Sequence, residues 1–192
     1  MIRKLLFCFL ITVVFISCQT GKPLGRITDD TFMYAMIYDN DNTPVNAVTV
    51  FINGIRKGES DIQGRFILDN MTKGEYTIRL VKRGYETFEE RFHFDPLLVL
   101  YFKIINTQQL VTLAEAAMDT GDYNTAQGFI NRALAIEPNR PDILFLSGVN
   151  HYLQGQRTQA IRILENLVRS GSTEPAVTRL LEIIRQQDAQ GE

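Results

Sequence analysis

The feature that most constrains the fold of this chain is a self-similarity of 34 residues in its second half. Small residues, glycines and prolines recur at this interval, in the pairs Ala114 and Gly148, Gly121 and Gly155, Ala126 and Ala160, and Pro141 and Pro175. Apolar residues between them follow the helical period of 3.6. A unit of this length cannot bury its apolar face alone, so we expect neighbouring units to stack into one array.

The small residues predict where helices approach each other within the array. Close helix packing is expected at Ala114, Ala126, Ala133, Gly148 and Ala160. Gly121 and Gly155 are expected in the tight turns between the two helices of each unit. Pro138 should end the second helix of the first unit, because proline cannot continue a helix interior.

This pattern resembles the tetratricopeptide repeat family from Thr107 to about Ser170, which is two full repeats. Pro175 opens the first helix of a third repeat, from about Glu174 to Gln187, and no second helix of that repeat follows it. Its apolar face carries Val177, Leu180, Leu181 and Ile184. We expect it to be a capping helix, which repeat arrays need for solubility.

The resemblance also implies a binding groove, because first helices in this family line a concave surface that takes peptides or partner segments. The matching positions are Gln108, Val111, Glu115 and Met118 in repeat one, and Asp142, Phe145, Val149 and Tyr152 in repeat two. Capture of a terminal carboxylate is not expected, since Val111 and Glu115 replace the Lys and Asn of clamp-forming relatives. In an alternative interpretation, Phe145 and Tyr152 simply pack on the β half or on the predicted capping helix.

Residues 31–105, here called the β half, have the pattern of strands. Tyr76–Leu80 alternates apolar and polar residues, as a half-buried strand does. Turn residues separate such runs, for example Asn53-Gly54 and Arg83-Gly84. About seven short strands at this spacing predict a small antiparallel β-sandwich, so the whole chain is predicted to be an α+β protein of two domains, with helices over 106–192.

Four segments of the β half follow a familiar order: Pro44–Val50, Ser60–Phe66, Gly74–Thr77 and Gly84-Tyr85. Together they resemble the carboxypeptidase regulatory-like domain, a transthyretin-like sandwich. PEGA-type surface domains share the last two segments and are the alternative. Both families imply a non-catalytic accessory or binding module.

The junction between the halves has no Gly, Ser or Pro linker. Asn106 is a good N-cap and Gln109 stands three residues later, which is the pattern of a capping box. We therefore expect the halves to pack on each other. The preceding segment Leu97–Phe102 is apolar without alternation, which predicts a strand covered on both faces, either by the helices or at the centre of the sandwich.

The N-terminus has the layout of an export signal. Arg3 and Lys4 precede the apolar run Leu5–Ile16, which is too short to span a bilayer. Phe15-Ile16-Ser17-Cys18 resembles the lipobox of bacterial lipoproteins, so residues 1–17 are predicted to be a signal peptide and Cys18 to carry lipid. Residues 18–30 would form a short tether. The alternatives are an uncleaved membrane anchor and plain secretion.

The remaining sequence offers little for catalysis. Cys8 leaves with the signal, so a mature chain has no second cysteine for a disulfide. His93 and His151 are the only histidines, and no phosphate-binding or nucleophile motif is present. Removing the two basic residues of the signal changes the formal charge from −2 to −4, and no basic face remains for nucleic acid.

We therefore predict no enzyme, no cofactor and no metal. The acidic run Asp39–Asn42 does not change this, because Pro44 and Val50 stand where a calcium loop needs glycine and an acidic residue. The predicted function is a lipid-anchored scaffold or assembly factor of the bacterial cell envelope, facing the periplasm or the cell surface. Envelope proteins would bind the groove, and the membrane would hold the lipid. The alternative is a module that binds glycan or another envelope component through the β half.

Overall fold

A computed structural model of the chain describes residues 33–171 and 174–190. The predicted signal, Cys18 and the tether lie outside these residues. The strands are β1 Met33–Tyr38, β2 Thr49–Ile52, β3 Ile55–Glu59, β4 Arg65–Leu68, β5 Gly74–Val81, β6 Phe88–Phe94 and β7 Leu100–Lys103. The helices are α1 Thr107–Asp119, α2 Tyr123–Ile136, α3 Pro141–Leu153, α4 Arg157–Arg169 and α5 Pro175–Gln190.

The seven strands form two sheets, which confirms the predicted sandwich followed by helices. One sheet has the order β4-β1-β7 and the other β3-β2-β5-β6. Alternate residues point into one core, where Ile37, Val50, Ile78, Leu80 and Phe94 are almost wholly buried. One pair departs from the antiparallel expectation, because β1 and β7 run parallel. These strands are the first and last of the β half, so no hairpin forces them to be antiparallel.

A turn before β4 explains one of the sequence segments. The Asp61 carboxylate accepts hydrogen bonds from the backbone N–H groups of Gln63 and Arg65, both at 2.9 Å, and from Arg65 Nε at 2.8 Å. Gly64 adopts φ 72°, and a Cβ there would lie 2.4 Å from the carbonyl oxygen of Ile37. The Asp-x-x-Gly-Arg pattern is thus the chemistry of one turn that closes against β1.

The helices form two hairpins, α1 with α2 and α3 with α4, and α5 covers the second hairpin. The capping box predicted at the start of α1 is confirmed: Asn106 Oδ1 accepts from Gln109 N–H at 2.8 Å, and Gln109 Oε1 accepts from Asn106 N–H at 3.2 Å. Val177, Leu181 and Ile184 of α5 are buried with Ala160, Leu164 and Leu167. Helix α5, the first helix of the incomplete third repeat, therefore caps the array, as its pattern predicted.

The prediction for the last strand is wrong. Leu97, Leu98 and Val99 precede β7 and are 90%, 56% and 54% exposed, and Tyr101 within it is 67% exposed. Among the strands that the structure describes, β7 pairs with β1 alone and lies at an edge of the three-stranded sheet, not at its centre. Phe102 faces the sandwich core, whereas the opposite face of β7 is exposed at Tyr101.

Among the residues that the structure describes, no helix is both long enough and apolar enough to cross a bilayer.

Candidate functional site

Three hydrogen bonds join the β half to the start of α1. Thr107 donates to the Gly84 carbonyl from its backbone N–H at 3.0 Å and from its hydroxyl at 3.3 Å. Gln109 Nε2 donates to Asp41 Oδ2 at 2.6 Å, and Gln109 is only 8% exposed. The start of α1 is therefore held on the β half by both backbone and side-chain contacts.

The acidic run Asp39–Asn42 has a structural role at this junction. Asp39 Oδ1 accepts from the N–H groups of Asp41 and Thr43, both at 2.9 Å, and so closes a polar turn. Asn42 has a positive φ of 61°, which asparagine tolerates better than most residues. The turn places Asp41 against Gln109, so it orients the β half relative to α1.

An ion pair makes the second connection. Arg132 of α2 donates from Nε to Glu86 Oε1 at 3.0 Å and from Nη2 to Glu86 Oε2 at 2.6 Å. The hydrogen bond from Arg132 holds the pKa of Glu86 below its ordinary value, although partial burial opposes this shift. The same bond raises the pKa of Arg132.

A cavity of about 370 Å³ opens beside this ion pair, between the β half and the first hairpin. Its lining includes Phe88 and Ile104 from the β half, Leu113 and Phe129 from the helices, and Lys103 at the end of β7. Sequence reasoning missed this cavity, because its walls come from segments far apart in the chain. The only signal was the absence of a linker, which predicted contact but not its shape.

Three of the predicted groove residues do not offer a free surface to a partner. Val111 is 7% exposed and belongs to the core of the first hairpin, so it does not offer a surface to a partner. Phe145 and Tyr152 are half-buried and pack on the cluster that contains Val177, Leu181 and Ile184 of α5. Tyr152 also donates its hydroxyl hydrogen to Gln187 Oε1 at 3.1 Å. For these two aromatic residues, the structure agrees with the alternative interpretation.

The other predicted groove residues remain accessible. Glu115, Gln108 and Asp142 are exposed, while Met118 and Val149 are half-buried. Arg140 brings two of them together, because its guanidinium donates to Gln108 Oε1 at 3.2 Å and to Asp142 Oδ2 at 2.9 Å. It also donates to Glu137 Oε2 at 2.8 Å. Hydrogen bonds to Asp142 and Glu137 raise the pKa of Arg140, and its charge is offset by both carboxylates.

The inner face of the first helices therefore has an acidic character. Glu115, Asp119 and Asp142 are exposed on or beside it. Arg140, which donates to Gln108 and Asp142, already has two acidic partners. A partner segment that carries positive charge is the one that this surface would attract.

The small residues lie where helices meet. Ala114, Ala126, Ala133 and Ala160 have no exposed surface, and Gly148 is buried against Leu164. Gly121 and Gly155 are in the turns that follow α1 and α3, with φ of 77° and 74°. Those left-handed conformations cost glycine little and other residues more.

Residues 111–184 match the family model described as tetratricopeptide repeat, which covers most of α1 and the four following helices up to Ile184 of α5. A comparison with curated proteins finds no match for this chain. The helical array is thus similar to a family whose members generally mediate protein–protein interactions.

Proposed function

We propose that this protein is a non-catalytic interaction scaffold of the bacterial cell envelope, anchored to the membrane by lipid on Cys18. The observation that carries the proposal is the tandem array of helical hairpins, which matches the tetratricopeptide repeat family and leaves a polar inner face accessible. Stacked helical repeats create extended surfaces to which a protein segment can bind, which supports a role for the array in binding.

The partner proposed for the inner face is a segment of an envelope protein that carries positive charge. The exposed carboxylates of Glu115, Asp119 and Asp142 support this choice. The aromatic residues do not define the site, because Phe145 and Tyr152 are engaged with α5. Affinity would come from complementary charge and from the half-buried Met118 and Val149.

The anchoring proposal depends on the first residues of the sequence. A short apolar run after two basic residues, followed by Ser17-Cys18, supports export and lipid attachment. Two or more acyl chains on one residue hold a protein stably at a membrane. Incorporation of labelled palmitate should be lost in Cys18→Ala, and incorporation that survives in this variant rejects lipid attachment at Cys18.

Site-specific photocrosslinking in the native cell tests the binding surface. A photoreactive residue at Glu115 reports on the inner face, and the same residue at the exposed Asn131 of α2 is the control. We expect discrete protein adducts from position 115 and none from position 131. Equal adducts at both positions, or none at 115, would contradict the proposed site.

Charge reversal separates binding from folding. Glu115→Lys should reduce the adduct formed from a probe at Met118, whereas Glu89→Lys in β6 should leave it unchanged, since both residues are exposed. Phe145→Ala is a poor test, because removing a side chain that packs on α5 costs about 2 kcal/mol of stability. A fully folded Glu115→Lys protein that still forms the adduct at wild-type yield would reject the electrostatic part of the proposal.

A further inference from the structure

An exposed apolar cluster lies at one end of the three-stranded sheet. Leu97, Leu98 and Val99 lie in the segment between β6 and β7, and Leu97 is 90% exposed. Three consecutive large apolar residues with this exposure are unusual on a protein surface and indicate a contact with another apolar phase.

The outer face of the same sheet continues this cluster. Tyr34 of β1 lies opposite Ile67 of β4, and their side chains are 40% and 46% exposed. Met36 lies opposite Tyr101 of β7, which is 67% exposed and stacks on Tyr38 with 6.4 Å between ring centroids. These residues share one face, because the residues between them, such as Ala35 and Ile37, are buried in the sandwich.

The cluster lies where the N-terminal part of the chain enters the fold. Ala35 pairs with Leu100, the first residue of β7, in the parallel register, and Met33 begins β1 two residues before Ala35. Met33 is also paired with Leu68 on the other side. Cys18 precedes Met33 by 15 residues, which can span at most about 50 Å. A membrane that holds Cys18 is therefore within reach of the end of the sheet that carries the apolar cluster.

The surroundings of the cluster carry charges of both signs, including the exposed Arg65 and Lys103 on the outer face of the same sheet. Lys73 pairs with Asp95 at 2.7 Å, and Asp95 Oδ1 accepts from Leu97 N–H at 3.0 Å, which holds the loop in place. Asp69 is a further exposed acidic residue on the adjoining loop. Burial of apolar side chains, and not attraction to anionic headgroups, is thus the dominant force for contact at this end of the sheet.

We infer that the cluster of Leu97, Leu98, Val99 and Tyr101 is a second membrane contact, which inserts into the headgroup and acyl boundary of the bilayer. This inference rests on the proposed membrane anchoring through Cys18. The lipid on Cys18 supplies proximity, and the apolar loop then sets the orientation of the β half by lying against the bilayer. Tyrosines beside the loop suit this location, because their rings favour the boundary between lipid and water. Shallow insertion of this kind is driven by buried apolar area.

Crosslinking to lipid tests the inference in the full chain. The protein, with a photoreactive residue at Leu98, is reconstituted in vesicles of phosphatidylcholine alone and of phosphatidylethanolamine with phosphatidylglycerol. The matched control carries the same residue at Ile62, which is 78% exposed in the turn before β4. After irradiation, mass spectrometry of the labelled peptide distinguishes lipid adducts from protein adducts.

We expect lipid adducts at position 98 to exceed those at position 62 by about tenfold, in both kinds of vesicle. Replacing Leu97 and Val99 by serine should remove most of the adduct at 98. A protein adduct at 98 would instead assign the cluster to a protein interface, including a second copy of this chain at the free edge of β7. That result, or equal lipid adducts at 98 and 62, overturns the inference.

A separate readout distinguishes this outcome from failure of the anchor. Labelled palmitate on the same preparations reports lipid attachment at Cys18, independently of the probe at 98. Palmitate without lipid adducts at 98 leaves the anchor intact and rejects the loop contact. Lipid adducts at 98 without palmitate reject the anchor and retain the loop contact. If neither labelled palmitate nor lipid adducts at 98 are found, the anchor and the loop contact are both rejected.

Discussion

Arg132 on α2 makes a two-bond ion pair with Glu86 on the loop between β5 and β6, with N···O distances of 3.0 and 2.6 Å. The two residues are 46 positions apart in the chain. Their contact crosses from the β half to the first hairpin, and with Asp41–Gln109 it connects the two halves through side chains.

We predict that Glu86→Gln weakens the connection in a pH-dependent way. The folded state lowers the pKa of Glu86, so the ionised form stabilises the fold above the ordinary pKa of glutamate, and this contribution is lost as the pH falls through the lowered value. Both side chains are more than one-third exposed, so solvent screening limits the effect to about 0.5 kcal/mol at neutral pH.

Chemical denaturation at several pH values measures this effect. The wild-type protein and Glu86→Gln should differ at pH 7 and converge once the pH has fallen below the lowered pKa of Glu86. Glu89→Gln, on an exposed position of the neighbouring strand, is the control and should show no such convergence. A difference that is constant with pH would mean that the ionised pair is not the cause.

A second prediction concerns the turn before β4. Gly64→Ala should lower the free energy of unfolding by at least about 2 kcal/mol, because the new Cβ combines a left-handed backbone with a clash against β1. Gly54→Ala is the matched control, because Gly54 has a similar φ of 79° but no atom lies within 4 Å of the added Cβ. That variant should lose only about 1 kcal/mol. Thermal or urea denaturation compares the two, and equal losses would show that the contact with the Ile37 carbonyl carries no cost.

A third prediction concerns packing within the second hairpin. Gly148→Ala should destabilise by about 1 kcal/mol, because an added Cβ would lie 3.1 Å from Leu164 Cδ2 in a filled contact. Gly128→Ala in α2 should stabilise by up to about 1 kcal/mol, since nothing lies near its added Cβ and alanine favours the helix. Opposite signs in the two denaturation midpoints are the expected result. A stabilised Gly148→Ala would show that Leu164 moves aside without cost.

A fourth prediction follows from the exposure of the last strand. Replacing Leu97, Leu98 and Val99 together by serine should change stability by less than about 1 kcal/mol, because their side chains already face solvent. Phe102→Ala should cost about 3 kcal/mol, since that ring is 5% exposed and packs edge-on against Phe92 at 5.6 Å between centroids. A large loss in the triple variant would show that the loop is covered within the folded chain.

Much of the fold could be predicted because its signals are local. The 34-residue interval identified the array, since each repeat must place small residues where its own helices meet, as at Ala114 and Gly148. Alternation in β5 and turn residues such as Asn53-Gly54 and Arg83-Gly84 were enough to predict a sandwich. The capping box of Asn106 and Gln109 was likewise a matter of residues three positions apart.

The candidate sites were less predictable, because they depend on what packs against each element. Phe145 and Tyr152 occupy groove positions by repeat spacing, yet α5 takes up much of their surface. The cavity beside Glu86 and Arg132 joins residues from both halves, and no short pattern encodes such a pairing.

The sequence by itself determined the element types, their order and the repeat architecture, because backbone propensity and apolar periodicity act over a few residues. It also places the predicted lipid attachment at Cys18, 15 residues before the first strand. Only the tertiary structure decided which apolar residues are covered. Leu97 and Leu98 have the composition of a buried strand but lie at an open edge, since burial is set by the partners that the fold brings near, not by the residue itself.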